Sequence, residues 1–196
     1  MTKEIILTES LKLFASHGYE NTSLANIAEA VGIKKPSLYN HFKNKESIFL
    51  HVLSLVTDRE KEYWHSYPQQ LEEKTIQEQL HHIYRSYLDR MAHTTEGMFF
   101  KRVTFFPPEE FISEVKKAFL FMEDQMTEVI RPVLEQGKKH EVIRPFSTDT
   151  LTSAFYTLMD GLFLEENFYD YDVFEQRQKA SWEIFWLGIQ ASEKEE

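Results

Sequence analysis

Apolar positions along the chain recur at helical spacing. Leu7, Leu11 and Phe14 fall at i, i+4 and i+7, and Gly18 follows with the residue type that takes a left-handed stop most readily. Leu24, Ile27, Ala28 and Val31 make a second, shorter stripe, opened by Thr22 or Ser23 as a side-chain cap and ended by Gly32. A third helix begins near Lys35 and runs to about Phe42, with Pro36 in the first turn, where a missing N–H costs nothing. Asn44 can cap a longer fourth helix carrying Ile48, Phe49, Val52, Leu55 and Val56. Further stripes predict helices near 74–93, 96–105, 109–137, 148–168 and 172–191. Pro68, the pair Pro107-Pro108, Gly137 and Pro145 separate them, and Ser147 or Thr148 caps the segment after Pro145. Pro132 lies inside the 109–137 segment and predicts a kink or an end to its straight part. No alternating strand pattern persists, so the expected fold is all-α with about nine helices.

Residues 22–42, TSLANIAEAVGIKKPSLYNHF, read as helix, tight glycine turn, helix. Small Ala28 lets two helix backbones approach, and Gly32 can take the positive φ that the turn needs. Ile33 and Leu38 anchor the second helix. That leaves Lys35, Pro36, Ser37, Asn40 and His41 on its outward side. A short helix that presents its N-terminal residues fits the major groove of DNA, so the segment reads as a helix-turn-helix.

Charge first opposes that reading and then supports it. The chain has 196 residues and a formal net charge of −10, and DNA binding rests on neutralising phosphates. Yet residues 1–60 are neutral, with seven basic and seven acidic side chains, so residues 61–196 carry the whole excess. Lys34, Lys35, Lys43 and Lys45 fall in a stretch, 30–45, that contains no acid. Such asymmetry fits two jobs in one chain, or a solvated surface with a chance cluster of lysines.

Other chemistries find little support. There is no cysteine, which excludes a disulfide scaffold, a thiolate metal site and a cysteine nucleophile. No phosphate-binding glycine loop, nucleophile elbow or HExxH occurs. The densest histidine cluster, His81-His82, places neighbours about 100° apart on a helix, a poor metal bite. No enzyme, metal or cofactor is expected. The first ten residues carry Lys3, Glu4 and Glu9 and no apolar signal core, and no apolar run approaches the roughly 18 residues of a membrane span. The expectation is a soluble, cytoplasmic protein with no membrane partner.

The N-terminal run resembles the tetracycline-repressor (TetR) family of bacterial transcription regulators. The matching residues are Phe14, Gly18-Tyr19, Thr22-Ser23, Ile27-Ala28, Ala30-Val31-Gly32-Ile33, Ser37-Leu38-Tyr39, His41-Phe42 and Lys45-Glu46. The resemblance covers residues 3–50 closely. Beyond that, only length, helix count and Asp160-Gly161 agree. Val31-Gly32-Ile33 and Pro36 depart conservatively from the usual pattern. The resemblance implies a helix-turn-helix DNA-binding domain at 1–46 and an effector-binding and dimerisation domain at 47–196. It further implies that Lys35, Pro36, Ser37 and Asn40 face bases, with Lys34 beside them. Tyr39, His41, Thr22 or Ser23, and Lys45 would meet phosphates. The implied partners are a palindromic double-stranded DNA operator, a second copy of the chain and a small-molecule effector. The implied activity is repression relieved by that effector.

Of the 28 aromatic residues, 23 lie after residue 50. Tyr63, Trp64, Tyr84, Tyr87 and Met91 fall in helical stripes, as do Phe99, Phe100, Phe119, Met122 and Met126, with Glu123 among them. They fit either an ordinary aromatic core or a cavity for a hydrophobic or cationic ligand, with Glu96, Glu123 and Asp124 as candidate counter-charges. The resemblance implies the cavity. Leu151, Phe155, Leu158 and Leu162 form one late stripe, and Trp182, Phe185, Trp186 and Ile189 another. These fit an internal core or, as the resemblance implies, a four-helix homodimer interface.

Overall fold

The computed structural model describes residues 2–166 and 168–192. Among them stand nine α-helices: α1 (Thr2–His17), α2 (Leu24–Val31), α3 (Lys35–Leu38), α4 (Lys45–Ser66), α5 (Ile76–His93), α6 (Thr95–Phe105), α7 (Ile112–Lys139), α8 (Thr148–Glu165) and α9 (Tyr171–Ile189). Short 3₁₀ turns occupy Tyr67–Leu71 and Glu109–Phe111. No strand occurs among the described residues beyond one antiparallel bridge, Ile143 to Gln190. The fold is all-α.

Three local expectations change. α3 ends at Leu38 instead of continuing to Phe42, because the N–H groups of His41 and Phe42 both return to the Leu38 carbonyl, each at 2.9 Å. α7 runs through Pro132 to Lys139, so the proline interrupts one hydrogen bond and not the helix. Gly137 therefore does not stop α7. A Cβ there would come within 2.5 Å of Ile143 Cδ1 and 2.9 Å of Ile76 Cγ2, so the absent side chain makes room for those two isoleucines.

Packing divides the chain into two units, residues 1–63 with 93–123, and residues 64–92 with 124–196. This partition by contact differs from the functional boundary expected after residue 46. In the first unit, Ile6, Leu11 and Phe14 of α1 share a core with Ile27 and Ala28 of α2, Leu38 of α3 and Phe42. Ile48, Phe49, Val52 and Val56 of α4, Phe99 and Val103 of α6, and Phe111 and Val115 complete it. Phe49 stacks on Phe111 at 4.7 Å and meets Phe14 and Tyr19 edge-on at 5.7 and 5.0 Å. Such aromatic pairs add about 0.5–1.5 kcal/mol each beyond their buried area.

In the second unit, α8 packs on α9. Of the late stripes, Leu151, Phe155 and Leu162 are buried inside the unit, as are Trp182, Trp186 and Ile189. Phe155 stacks on Phe185 at 5.2 Å, and Trp182 on Trp186 at 6.2 Å. Leu158 and Phe185 are half-buried. The large apolar and aromatic side chains these helices leave exposed are Leu164, Tyr171, Val173, Ile184 and Leu187. Six of the eight stripe residues are thus buried within a single chain.

Candidate nucleic-acid interface

The helix-turn-helix is set by three local devices. Ser23, extended at φ −98° and ψ 160°, caps α2 by accepting the Asn26 N–H at 3.2 Å, and Asn26 Oδ1 accepts the Ser23 N–H at 2.9 Å in return. Gly32 sits at φ 74°, and the Ile33 N–H bonds the Ala28 carbonyl at 2.9 Å, closing the left-handed turn that ends α2. Asn44 Oδ1 accepts the Ser47 N–H at 2.9 Å and opens α4.

Between these devices α3 is short, four residues long. Leu38 and Phe42 are buried on its inner side. Lys34, Lys35, Pro36, Asn40 and His41 are exposed, Tyr39 is 53% exposed, and Ser37 is half-buried. Pro36 occupies the first turn, where its missing N–H leaves nothing unpaired. The outward set thus combines two ammonium groups, an amide, an imidazole, a phenol and a hydroxyl. These are donors and acceptors suited to phosphates and base edges.

Two expected phosphate contacts are placed differently. Thr22 is 1% exposed and its hydroxyl donates to the Gly18 carbonyl at 2.7 Å, so it serves the corner between α1 and α2, while Ser23 alone does the capping. Lys45 donates from Nζ to the Tyr19 carbonyl at 2.9 Å and lies 3.9 Å from the centre of the Tyr19 ring. Its ammonium is therefore engaged within the protein. Burial and the adjacent Glu110 hold the Tyr19 hydroxyl protonated, far above its ordinary range.

Arg102 is a residue that the sequence did not single out. From α6 it donates Nε to the Ala15 carbonyl at 2.9 Å and Nη2 to the Ser16 carbonyl at 3.0 Å, serving the last turn of α1. No spacing rule links residues 87 apart, so only the fold could reveal it.

The aromatic candidates for an effector site fall in both units. Tyr63, Phe99, Phe100, Phe119, Met122 and Glu123 belong to the first; Trp64, Tyr84, Tyr87, Met91 and Met126 belong to the second. Phe99 is sealed in the first unit's core, and Phe100 stacks on Phe119 at 6.2 Å. Tyr84 donates to the Gln178 carbonyl at 2.8 Å, and Tyr87 donates to Asp160 Oδ1 at 2.9 Å. Burial holds the Asp160 carboxyl above the usual range, a rise that the Tyr87 bond partly offsets. Glu96, a candidate counter-charge for a cationic ligand, is paired with Arg59. No group of three or more potential metal ligands occurs among the described residues, and no helix there is long and apolar enough to cross a membrane.

Comparison with known proteins finds similarity over the same N-terminal stretch. Residues 6–52 match the family model described as bacterial regulatory proteins, tetR family. The transcriptional repressor ComR of Escherichia coli K12 is 49% identical over 57 residues, which are 29% of this chain and 27% of ComR. IcaR of Staphylococcus aureus Newman, negative regulator of the biofilm operon icaADBC, is 47% identical over 47 residues, 24% of this chain and 25% of IcaR. The match thus spans about a quarter of the length of these curated relatives. Solved structures are similar over nearly the whole chain. A TetR-family regulator from Cytophaga hutchinsonii has a TM-score of 0.75 at 18% identity, covering 98% of this chain and 96% of that one. The regulator FadR of Bacillus subtilis, solved with stearoyl-CoA, has a TM-score of 0.71 at 18% identity, covering 95% and 98%. At that identity the likeness is one of fold.

Proposed function

We propose that the chain is a member of the TetR family of bacterial regulatory proteins, to whose model residues 6–52 are similar, and that it is a ligand-responsive repressor and not an enzyme. It binds a palindromic DNA operator as a homodimer in the cytoplasm and is released by a small-molecule effector. Residues 1–46 form the reading domain, and residues 47–196 serve effector binding and dimerisation. The observation that carries this reading is the short α3 with Lys34, Lys35, Pro36, Tyr39, Asn40 and His41 turned to solvent. Lys35, Pro36, Ser37 and Asn40 read bases, Lys34 supports them, and Tyr39, His41 and Ser23 meet phosphates.

One four-residue helix contacts too few bases for useful affinity, so two heads on a two-fold axis are the physical expectation. The surfaces left for self-association on α8 and α9 are the exposed Leu164, Ile184 and Leu187, next to Gly161 and Gly188, where a partner backbone can approach closely. The effector site draws on Trp64, Tyr84, Tyr87, Met91 and Met126 of the second unit. A long apolar ligand suits that lining, and the stearoyl-CoA bound by the similar FadR supports the class. A coupling of about 1–3 kcal/mol between effector and DNA suffices for release.

Selection of bound fragments from the source genome, followed by footprinting, tests the reading. A protected palindrome is expected, and the double change Lys35→Ala, Asn40→Ala should cost about a hundredfold in affinity while leaving the unfolding curve in place. Equal retention of genomic and random duplex by the wild type at low ionic strength would overturn it.

A further inference from the structure

Residues 1–60 carry seven Lys and Arg side chains, and their partners differ. Lys12 of α1 pairs with Glu9 at 2.8 Å, and Arg59 of α4 pairs with Glu96 of α6. Lys45 gives one N–H to the Tyr19 carbonyl and keeps others to donate. Lys34 and Lys35 belong to the surface already described. Lys3 and Lys43 remain, both exposed and without an acid in ion-pair distance among the described residues. They flank Phe42, one in space and one in sequence. Lys43 follows it directly. Lys3 lies in the first turn of α1, and its ammonium stands 5.5 Å from the centre of the Phe42 ring. Phe42 is buried next to the exposed His41, and the N–H groups of both return to the Leu38 carbonyl. Folding thus carries the start of α1 to the C-terminal edge of α3. A ring face attracts a cation without consuming its N–H groups, so the Lys3 ammonium is held at that edge with its three donors unspent.

We propose that Lys3 and Lys43 bind DNA phosphates, so that the backbone-contacting surface extends past the helix-turn-helix onto the first turn of α1. The proposal rests on the reading that residues 22–45 bind duplex DNA. In a chain of net charge −10, ammonium groups left unpaired around one short helix are where a polyanion gains most. Contacts to phosphate carry no base information. These two lysines therefore strengthen binding to every duplex and select none.

Salt dependence tests this. Each phosphate contact contributes about −0.9 to the slope of log K against log salt, and a dimer carries each lysine twice. Binding is measured with a mixed-sequence duplex and with a fragment recovered by genomic selection. Lys3→Gln and Lys43→Gln should each make the slope shallower by about 1.8, with an equal loss of affinity on both duplexes. Lys3→Arg should keep the wild-type slope, since the charge is retained. Melting temperatures should stay in place, because both side chains are exposed. A wild-type slope in Lys3→Gln or Lys43→Gln overturns the proposal, and a lowered melting temperature beside it would make Lys3 a packing residue over Phe42. An equal change in Lys12→Gln would mark long-range charge and not contact, and overturns it as well. The wild type gives a second reading that needs no variant. Acetylation by acetic anhydride, followed by mass spectrometry, should be slowed by saturating duplex at Lys3 and Lys43 and not at Lys12. Equal rates with and without duplex overturn the proposal alone. A wild type that binds no duplex at any salt overturns the functional reading, and this proposal with it.

Discussion

The reading head and the α8–α9 pair are both marked by strong sequence patterns, yet they differ in what those patterns determine. In the head, the Ser23–Asn26 cap, the left-handed Gly32 and the Asn44 cap each act within a few residues. Turn and cap chemistry is local, so the sequence states it directly. In α8 and α9 the stripes of Leu151, Phe155, Leu162, Trp182, Trp186 and Ile189 say only that one face is covered. What covers it is decided by where the chain brings the two helices. Here part of the cover is mutual, with Phe155 on Phe185, and part comes from α5, whose His81 and Tyr84 meet Trp182.

The largest effect expected from breaking that comparison is at Phe155, fully buried and stacked on Phe185. Phe155→Ala should cost about 3–5 kcal/mol of stability through lost burial and a cavity. Because the ring packs inside the subunit, the loss should be the same at every protein concentration. Ile184, 70% exposed on the neighbouring helix, gives the opposite case. Ile184→Asp should leave the subunit's own stability within about 0.5 kcal/mol and weaken only self-association. Denaturation at several dilutions, with sedimentation beside it, separates the two. A Phe155→Ala loss that disappears on dilution would place Phe155 at the interface.

Much of the remainder was legible to the same degree as its chemistry is local. Helix boundaries from α5 to α9 follow proline and capping residues to within a few positions. The role of Gly137 was not legible. As a glycine near the end of a stripe it reads as a stop, whereas Ile143 and Ile76, distant in sequence, close on its backbone. The internal acceptors of Lys45 and Arg102 were not legible for the same reason, since they lie on another helix or turn. Gly137→Ala tests this kind of distant constraint. Both isoleucines are β-branched and stiff at that range, so the added methyl should cost about 1–3 kcal/mol, although alanine is the better helix former. A melting curve shifted upward would show the approach to be loose.

The head has its own concealed exception to local legibility. Ser10 of α1 is fully buried, and its hydroxyl has no hydrogen-bond partner among the described residues. A buried unpaired hydroxyl carries its desolvation cost without return, and alanine is also the better helix former. Ser10→Ala should therefore stabilise the protein by about 1 kcal/mol in chemical denaturation. A loss of similar size would mean that the hydroxyl is paired in solution.

The smallest effect concerns charge on α8, where the sequence marks Asp160-Gly161 without explaining the acid. Asp160 accepts from Tyr87 and has no cation within ion-pair distance among the described residues, and burial raises its carboxyl above the ordinary value. The sign follows from linkage. Well below the ordinary carboxylate range both folded and unfolded chains hold the proton, and Asp160 adds no pH dependence. As pH rises from about 3.9, the unfolded chain releases its proton first. Stability then falls until the folded carboxyl ionises as well, and the deficit is fully present above that point. Asp160→Asn keeps an oxygen for the Tyr87 hydroxyl and removes the charge. It should raise the melting temperature at neutral pH by a small amount that vanishes in acid. A gain that persisted at the lowest pH at which the protein stays folded would trace to packing and not to charge. A loss at neutral pH would mean that the ionised carboxylate is stabilised by a partner, placing α8 beside the head as a region whose polar residues are matched within the fold.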